Sequence, residues 1–449
     1  MAKIAVYPHD PVAMTSGGVF PYSDELRNSY TFQSKYGDPI KLYKVQGNNI
    51  LLPRGLTIEG GHDRRVSGSD INVTDHFKAR SPEQDRVVDE VTALLKSGVS
   101  HICECPTGFG KTIVGAAAIA RIGKKALVIV TKDDIKSQWV AAFQTVMKLK
   151  KSDIGLIQGD KMDVAGKPIV IAMVHSVCKD GRYPSWIYKE FGLVVIDEVH
   201  RMGAETFGEA IWMFPAKLRL GLSASPNRKD GKDILFKSHI GPVRVRSDAY
   251  PLIPKVMTFT HQSKMPKMAV QAGRTAHIDR ILSRDSHRNR IIAGFMTTAW
   301  NKGRNPVFFS SRVDHLQTIH DMLVGRGVPQ KNIGFYVGGL TDEQRDVAKR
   351  KDVVLATYQM ASEATDAPWW DVAVLGTPRS DVLQIVGRVL REYEGKCNTG
   401  EEGGGKKAPI VLDIEDVKPT LFRKYAQKRR VYYGKLGAPI QRISVENFL

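Results

Sequence analysis

Two short segments carry the residue types from which phosphate chemistry is made. Cys105-Pro-Thr-Gly-Phe-Gly-Lys-Thr112 follows the spacing G-x-x-x-x-G-K-[ST] of a phosphate-binding loop, with Cys105 standing at the first glycine. Thr107, Gly108, Phe109 and Gly110 form the body of the loop. The two glycines let backbone N–H groups turn inward onto phosphate, Lys111 supplies a cation for the β- and γ-phosphates, and Thr112 can ligate Mg2+. Leu193-Val-Val-Ile-Asp-Glu-Val-His200 supplies the complement, four apolar residues that deliver two adjacent carboxylates. Asp197 can hold Mg2+ directly or through water, and Glu198 can orient and deprotonate an attacking water. A Gly-rich turn and an Asp-Glu pair each have a bland reading as solvated turns. Both segments in one chain, each in the order its motif needs, favour the phosphate site.

These groups work only where strand, loop and helix follow one another. An Ala-rich helical pattern, Ile113 to Ile122, comes after the loop and would turn its positive dipole end to the phosphates. Short β-branched runs, Ala126 to Val130, Ile169 to Ala172 and Leu193 to Ile196, alternate with helical patterns from about His76 to Val256. They predict a parallel sheet covered on both faces, with ligands at the C-terminal strand ends. A second alternating block has candidate strands at Val307 to Phe309, Ile333 to Val337, Val353 to Ala356, Val372 to Leu375 and Ile410 to Leu412. The expected organisation is α/β: a small β-rich module over 1–75, a first lobe over 76–256, a connector over 257–275, and a second lobe over 276–449 with a basic tail. Gly395 to Lys407 is expected to be a surface loop.

The second block has its own charged constellation. In Ser380-Asp-Val-Leu-Gln-Ile-Val-Gly-Arg-Val-Leu-Arg391 a helix capped by Ser380 or Asp381 places Gln384, Arg388 and Arg391 on one face. Ile385, Val386, Val389 and Leu390 bury the other face, and Gly387 in the middle predicts close approach of another backbone.

With Asp197-Glu-Val-His200 at the carboxylate pair, the chain resembles the DEAD/H-box helicases and translocases of superfamily 2 over most of Phe77 to Leu412. The resemblance implies two tandem RecA-like parallel-sheet lobes, with ATP and Mg2+ as cofactors. Gln84, in Arg80-Ser-Pro-Glu-Gln84, looks like the glutamine that reads adenine. Ser223-Ala224-Ser225 looks like the Ser-Ala-Thr element that links hydrolysis to nucleic-acid movement. Gln384, Arg388 and Arg391 fit Q-x-x-G-R-x-x-R, whose arginines reach the γ-phosphate. Thr357 to Asp366 looks like motif V, with Thr357 and Ser362 near the nucleic-acid backbone and Asp366 near the nucleotide, although Ala364 replaces the usual glycine. Asn49 to Leu56, Ile169 to Ser176, Leu220 to Arg228 and Val353 to Arg391 read like the XPB-type repair helicases and the phage branch-migration helicases such as UvsW. That likeness implies a 3′-5′ DNA helicase in replication, recombination or repair, acting on forked, branched or single-stranded DNA as a monomer, with Ser176 on the nucleic-acid track. An RNA helicase and the motor subunit of a restriction-type complex remain open alternatives.

Composition agrees. In 449 residues, 66 Lys and Arg against 47 Asp and Glu leave a net charge of +19, which favours polyanionic partners. No apolar run is long enough to cross a bilayer, and the N-terminus has no apolar signal core before Pro8, so the expected setting is cytoplasmic, the host's cytoplasm if the protein is phage-encoded. Cys103 and Cys105 form a single C-x-C that reads as buried thiols rather than a zinc site. Arg423 to Arg430, with Tyr432 and Tyr433, is either a phosphate-gripping stretch or a solvated helix face. Trp369-Trp370 reads as core or lobe surface before it reads as a base-stacking wedge. The module before His76 carries Lys41, Lys44 and Arg54, which suit duplex contact, or it simply covers a sheet edge.

Overall fold

Uninterrupted Val, Ile and Leu runs become strands buried on both faces, because β-branched side chains pack well on a pleat that helices cover from each side. The computed structural model describes residues 19–33, 38–55, 65–179, 181–203, 205–228, 230–250, 252–263, 275–362, 367–391 and 407–449. Two compact units emerge, residues 1–249 and 250–449.

The first unit begins with β1 (Val19–Pro21), α1 (Asp24–Ser29), β2 (Thr31–Phe32), β3 (Ile40–Lys41), β4 (Lys44–Gln46) and β5 (Asn49–Leu51). These strands form a three-stranded antiparallel sheet, β1-β5-β4, and a β2-β3 pair. After them come α2 (Pro82–Lys96), β6 (His101–Glu104), α3 (Lys111–Ile122), β7 (Ala126–Val130), α4 (Asp133–Met147), β8 (Ile154–Gln158), β9 (Lys161–Asp163), β10 (Ile169–Met173), α5 (Val174–Val177), β11 (Leu193–Ile196), α6 (Glu205–Met213), β12 (Leu218–Ser223), α7 (Asp233–Ile240) and β13 (Val243–Arg246). The large sheet has the order β13-β6-β12-β11-β7-β10-β8-β9, parallel except for the edge hairpin β8-β9. Every residue of β7, β10 and β11 is buried. The C-terminal ends of β6, β12 and β11 are therefore neighbours.

The small β module is fastened to this sheet's helices. Gly55 N–H donates to Ser238 O at 2.8 Å, and a Cβ at Gly55 would stand 2.5 Å from that oxygen. The Arg54 guanidinium donates to Ile211 O near the C-terminus of α6, and burial pulls its pKa down to about 10. Buried Arg219 donates to Phe214 O and to His239 O, beside the ends of α6 and α7. Neither guanidinium needs a carboxylate here, because the carbonyl end of a helix carries partial negative charge. Lys44 pairs with Glu209 and sits 5.4 Å over the Trp212 ring. Two of the three basic positions suited to duplex contact are thus occupied within the unit; Lys41 is exposed.

The second unit contains β14 (Lys255–His261), α8 (Thr275–Ser283), α9 (Ser286–Asn301), β15 (Pro306–Ser310), α10 (Val313–Gly325), β16 (Ile333–Tyr336), α11 (Asp342–Lys349), β17 (Val353–Thr357), α12 (Tyr358–Ser362), β18 (Val372–Leu375), α13 (Leu383–Val389), β19 (Ile410–Asp416), α14 (Thr420–Lys435) and β20 (Ile440–Arg442). Its sheet, β16-β17-β15-β18-β19-β14-β20, is parallel throughout. The expected connector over 257–275 is corrected at its start: 257–261 belongs to an inner strand paired along its length with β19. Thr258 and His261 are buried beside Val256 and Phe259, so polar residues hid the strand's apolar period.

Two buried forks brace this unit. Arg288 reaches both oxygens of Asp416 at 3.0 Å and Gly376 O at 2.6 Å, and Arg429 grips Asp413 from α14. Arg429 and Tyr433 are therefore core residues of the expected basic grip, while Arg423, Lys424 and Lys428 lie exposed. Trp370 is fully buried, and both Trp369 and Trp370 donate their indole N–H to Lys349 O, as the core reading expected. The arginine helix is shorter than expected. Asp381 Oδ1 accepts from its first N–H, that of Leu383, at 3.4 Å, but the helix ends at Val389, so Arg391 lies beyond it. The loop expected at 395–407 lies outside the described residues except Lys407, and so does Cys397. Among the described residues no helix is long and apolar enough to cross a membrane.

Candidate active site

From Glu104 at the end of β6 the chain turns through Cys105–Gly110 into α3. Gly108 and Gly110 have φ of +92° and +93°, a region that side-chain-bearing residues seldom occupy. At Gly110 a Cβ would also lie 2.7 Å from both Arg80 Nη2 and Gln84 Nε2. Gly110 caps α3 with no side chain of its own, and first-turn N–H groups of a helix lack intrahelical partners, which makes this end an anion receptor. Lys111 Nζ donates to the loop's own carbonyls, Cys105 O at 3.2 Å and Pro106 O at 3.4 Å. Thr107 and Phe109 are buried and brace the loop, and Thr112 is half-buried. Cys105 and Cys103 are free, buried thiols 3.6 Å apart; their mutual hydrogen bond and burial push the Cys103 thiol up.

Two residues at the start of α2 and just ahead of it hold the loop from outside. Gln84, buried and itself bonded to the cap Ser81, donates from Nε2 to Phe109 O at 2.9 Å and accepts at Oε1 from Arg80 N–H. An amide has two donor hydrogens and two acceptor lone pairs, so one of each remains for a ligand. Arg80 donates to Gly108 O and Phe109 O. Arg80 is a site residue that the sequence motifs do not single out; its place four residues before Gln84 is the signal that points to it. Beside α3 a cavity of about 500 Å³ is lined by Phe77, Lys78, Ile113 and Lys148 among others.

The carboxylates stand where β11 ends. Asp197 is buried; Oδ2 accepts from Trp139 Nε1 and Oδ1 from Glu198 N, each at 2.8 Å. Burial, with the Glu198 charge beside it, pushes Asp197 up to about 6. Glu198 has φ +48°, a strained backbone for a side-chain-bearing residue and of the kind that clusters at functional sites. Its Oε2 is buried without a hydrogen-bond partner. His200 Nδ1 is 3.3 Å away and shares a hydrogen bond with Ser223 Oγ at 3.0 Å. Burial lowers the His200 pKa. Ser223 Oγ also accepts from Ser225 N–H, and Arg228 donates to His200 O, so the segment after β12 is tied to the segment after β11. Ala224 is half-buried and Ser225 exposed.

This donor set suits Mg2+. Among the described residues no group of three or more His, Cys, Asp or Glu side chains could enclose a metal, whereas Mg2+ on a nucleotide needs only one or two protein oxygens beside the phosphates. The Asp197 carboxylate and the Thr112 hydroxyl are of that type. The Glu198 oxygen accepts no hydrogen bond, which leaves it the lone pairs that a base for a reacting water requires.

Other predicted residues lie apart from this cluster. Ser176 is buried and its Oγ accepts from Gly159 N–H, so that hydroxyl is committed to a turn rather than presented at a surface. In the second unit Thr357 ends β17 half-buried, Gln384 is half-buried, and Arg388 is buried within α13. Arg391 is half-buried. Asp366, like Ala364, lies outside the described residues, and the Ser362 side chain is likewise not described.

Comparison with known proteins agrees with this chemistry. Residues 78–228 match the family "Type III restriction enzyme, res subunit". L396 of Acanthamoeba polyphaga mimivirus, which is named an ATP-dependent RNA helicase, is 28% identical over 438 residues, covering 94% of this chain and 81% of its own. The DNA 3′-5′ helicase XPB of Kineococcus radiotolerans is 31% identical over 385 residues, covering 82% of this chain and 65% of its own. The structure of S. cerevisiae Dbp5 bound to RNA and ADP BeF3 superposes with a TM-score of 0.54 at 13% identity, covering 82% of this chain and 94% of that one, a likeness of fold. With its P-loop, its Asp-Glu-Val-His turn and these relatives, the chain is a helicase of superfamily 2 type that resembles the XPB-type members.

Proposed function

We propose that the chain is an ATP-dependent DNA helicase that moves 3′ to 5′ and unwinds or branch-migrates forked and junction DNA. The observation that carries the chemistry is Glu198, held in a left-handed turn with a buried carboxylate oxygen that has no hydrogen-bond partner. In this reading the N–H groups around Gly108 and Gly110 cradle the phosphates. Lys111 leaves the loop carbonyls for the β- and γ-phosphates, and Gln84 spends its remaining amide capacity on the adenine. Thr112 and Asp197 would hold Mg2+, which neutralises charge on the phosphates when bound. Glu198 orients the attacking water and takes its proton. Arg388 and Arg391 act on the transferring phosphoryl group, and Gln384 and Asp366 contact the nucleotide. His200 and Ser223 connect the carboxylate turn to Ser223-Ala224-Ser225, which transmits hydrolysis to the nucleic-acid track at Thr357 and Ser362. The protein works as a monomer in the cytoplasm, the host's if phage-encoded.

DNA is favoured by the 31% identity to a relative named a DNA 3′-5′ helicase. A relative covering more of the chain is named an RNA helicase, which supports the second reading. Unwinding of matched DNA and RNA duplexes with 3′ or 5′ tails separates them. DNA forks opened from a 3′ tail bear the proposal out, and RNA opened in preference sinks it.

A further inference from the structure

Asp197 is held by a residue from neither motif. Trp139 lies on α4, fully buried, and its indole N–H points at Asp197 Oδ2 over 2.8 Å. A buried indole N–H needs an acceptor, and this carboxylate is it. The other oxygen accepts from Glu198 N, so the plane of the carboxylate is fixed at both ends. While its N–H edge meets Asp197, the benzo edge of the ring lies against the P-loop helix. At Gly115, one turn after Lys111, a Cβ would stand 2.5 Å from Trp139 Cη2 and 3.0 Å from Leu222 Cδ1. Glycine is poor in a helix interior, and here its missing side chain leaves the space that the benzo edge of the indole fills. Phe143, at a ring separation of 5.4 Å, closes the far side. One side chain therefore links the helix bearing Lys111 and Thr112 to the strand end bearing Asp197.

We propose that Trp139 is a positioning residue: its N–H fixes the Asp197 carboxylate in the orientation that receives Mg2+ on the bound nucleotide, with Gly115 making room for it. This rests on the reading of Asp197 and Thr112 as the Mg2+ ligands. Partners of this kind orient metal-binding groups, and losing one typically weakens metal affinity by about 10- to 100-fold.

The test is equilibrium binding of a fluorescent ATP analogue, titrated with MgCl2 and repeated in EDTA, on the full chain and on Trp139→Phe. A chain with benzothienylalanine at 139, which keeps the ring volume and lacks the N–H, covers the case in which Phe leaves the core unstable. The expected result is a Mg2+ midpoint raised about 10- to 100-fold, with binding in EDTA and the melting temperature of the benzothienyl chain near wild type. Gly115→Ala, which pushes the ring aside, should raise the midpoint in the same direction. An unchanged Mg2+ midpoint in the benzothienyl chain overturns the proposal, and so does an equal loss with and without Mg2+, which marks a packing role only. If the wild-type chain itself binds nucleotide without any Mg2+ dependence, it is the assignment of Asp197 and Thr112 that fails.

Discussion

The two parallel sheets treat charge in opposite ways at their C-terminal ends. In the first unit the charged groups there are incompletely answered: Lys111 rests on loop carbonyls, Glu198 Oε2 has no hydrogen-bond partner, and burial pushes Asp197 up to about 6. In the second unit Arg288 and Arg429 close on Asp416 and Asp413 in forks that are nearly inaccessible. The first arrangement costs stability and is poised for an incoming polyanion and its counter-ion. The second spends its charges on holding strands and helices in register. Unanswered charge marks where a ligand is awaited; a closed fork marks scaffold.

The largest effect should come from removing the poised groups. Glu198→Gln should lower ATP turnover by about 10²- to 10⁴-fold, and Lys111→Ala should abolish it, while melting temperature and DNA binding stay near wild type. Arg391→Ala should depress kcat by about 10³-fold or more with a small change in KM. Turnover near wild type in Glu198→Gln removes this carboxylate as the base. A pure rise in KM for Arg391→Ala makes it a ground-state ligand.

Breaking a fork should do the reverse, harming stability before chemistry. Arg288→Met leaves Asp416 buried without its cation, at a cost of about 3–5 kcal/mol. Adding Asp416→Leu should recover much of the loss, because an apolar pair of similar volume needs no compensation. Urea unfolding of the two variants tests this, and a double variant no more stable than the single one contradicts it.

Acid should sharpen the contrast further. Burial, then the Arg288 charge, lowers His315 to about 3, and the ring spends both nitrogens on neutral partners, Ser310 and Asn289. Below the ordinary histidine pKa of about 6.5 the unfolded chain takes up a proton that the folded chain refuses. The stabilisation is therefore complete above that pH and is lost as pH falls towards about 3, at roughly 1.4 kcal/mol per unit for one proton. In the first unit His101, lowered to about 4 by burial, runs the same way. Asp197 runs the opposite way, since its raised pKa makes the folded state the better proton acceptor between its ordinary carboxyl value and about 6. Protection factors in β15, which allow for the slower intrinsic exchange of amides in acid, should thus fall on acidification more than those in β11, and His315→Gln should flatten the difference. Equal acid sensitivity in both strands would remove His315 as its source.

What could be read beforehand divides along the same line. The strands of both sheets and the phosphate loop were legible because apolar runs and glycine spacing are local properties of the chain. β14 was not, because Thr258 and His261 are buried polar residues satisfied only in the tertiary structure. The arginine helix is shorter than its composition suggests, since it stops at Val389 and leaves Arg391 outside, although Asp381 accepts from its first N–H as its residue type favours. The holding of Asp197 by Trp139 spans 58 positions, and the clamp of Arg54 on α6 spans 157. Neither pairing has a sequence period. Of the basic run 423–430, composition alone could not tell Arg429, which is scaffold, from Lys428 one residue earlier, which is exposed.

That last distinction yields the smallest effect and the finest test of the comparison. If exposed cations of the second unit serve nucleic acid while its buried ones serve the fold, Arg423, Lys424 and Lys428 on the outer face of α14 should each engage one phosphate at most. Arg430 is a weaker candidate, because its guanidinium already engages Glu415. Neutralising the three exposed residues to Ala should reduce the slope of log affinity against log salt by about one for each phosphate no longer neutralised, with no change in melting temperature and no preference among DNA sequences. Arg429→Met should instead lower stability and leave the slope of the folded fraction unaltered, because its charge is spent on Asp413. An unchanged slope in the triple variant would make the outer face of α14 a solvated surface and confine the second unit's nucleic-acid binding to the strand ends.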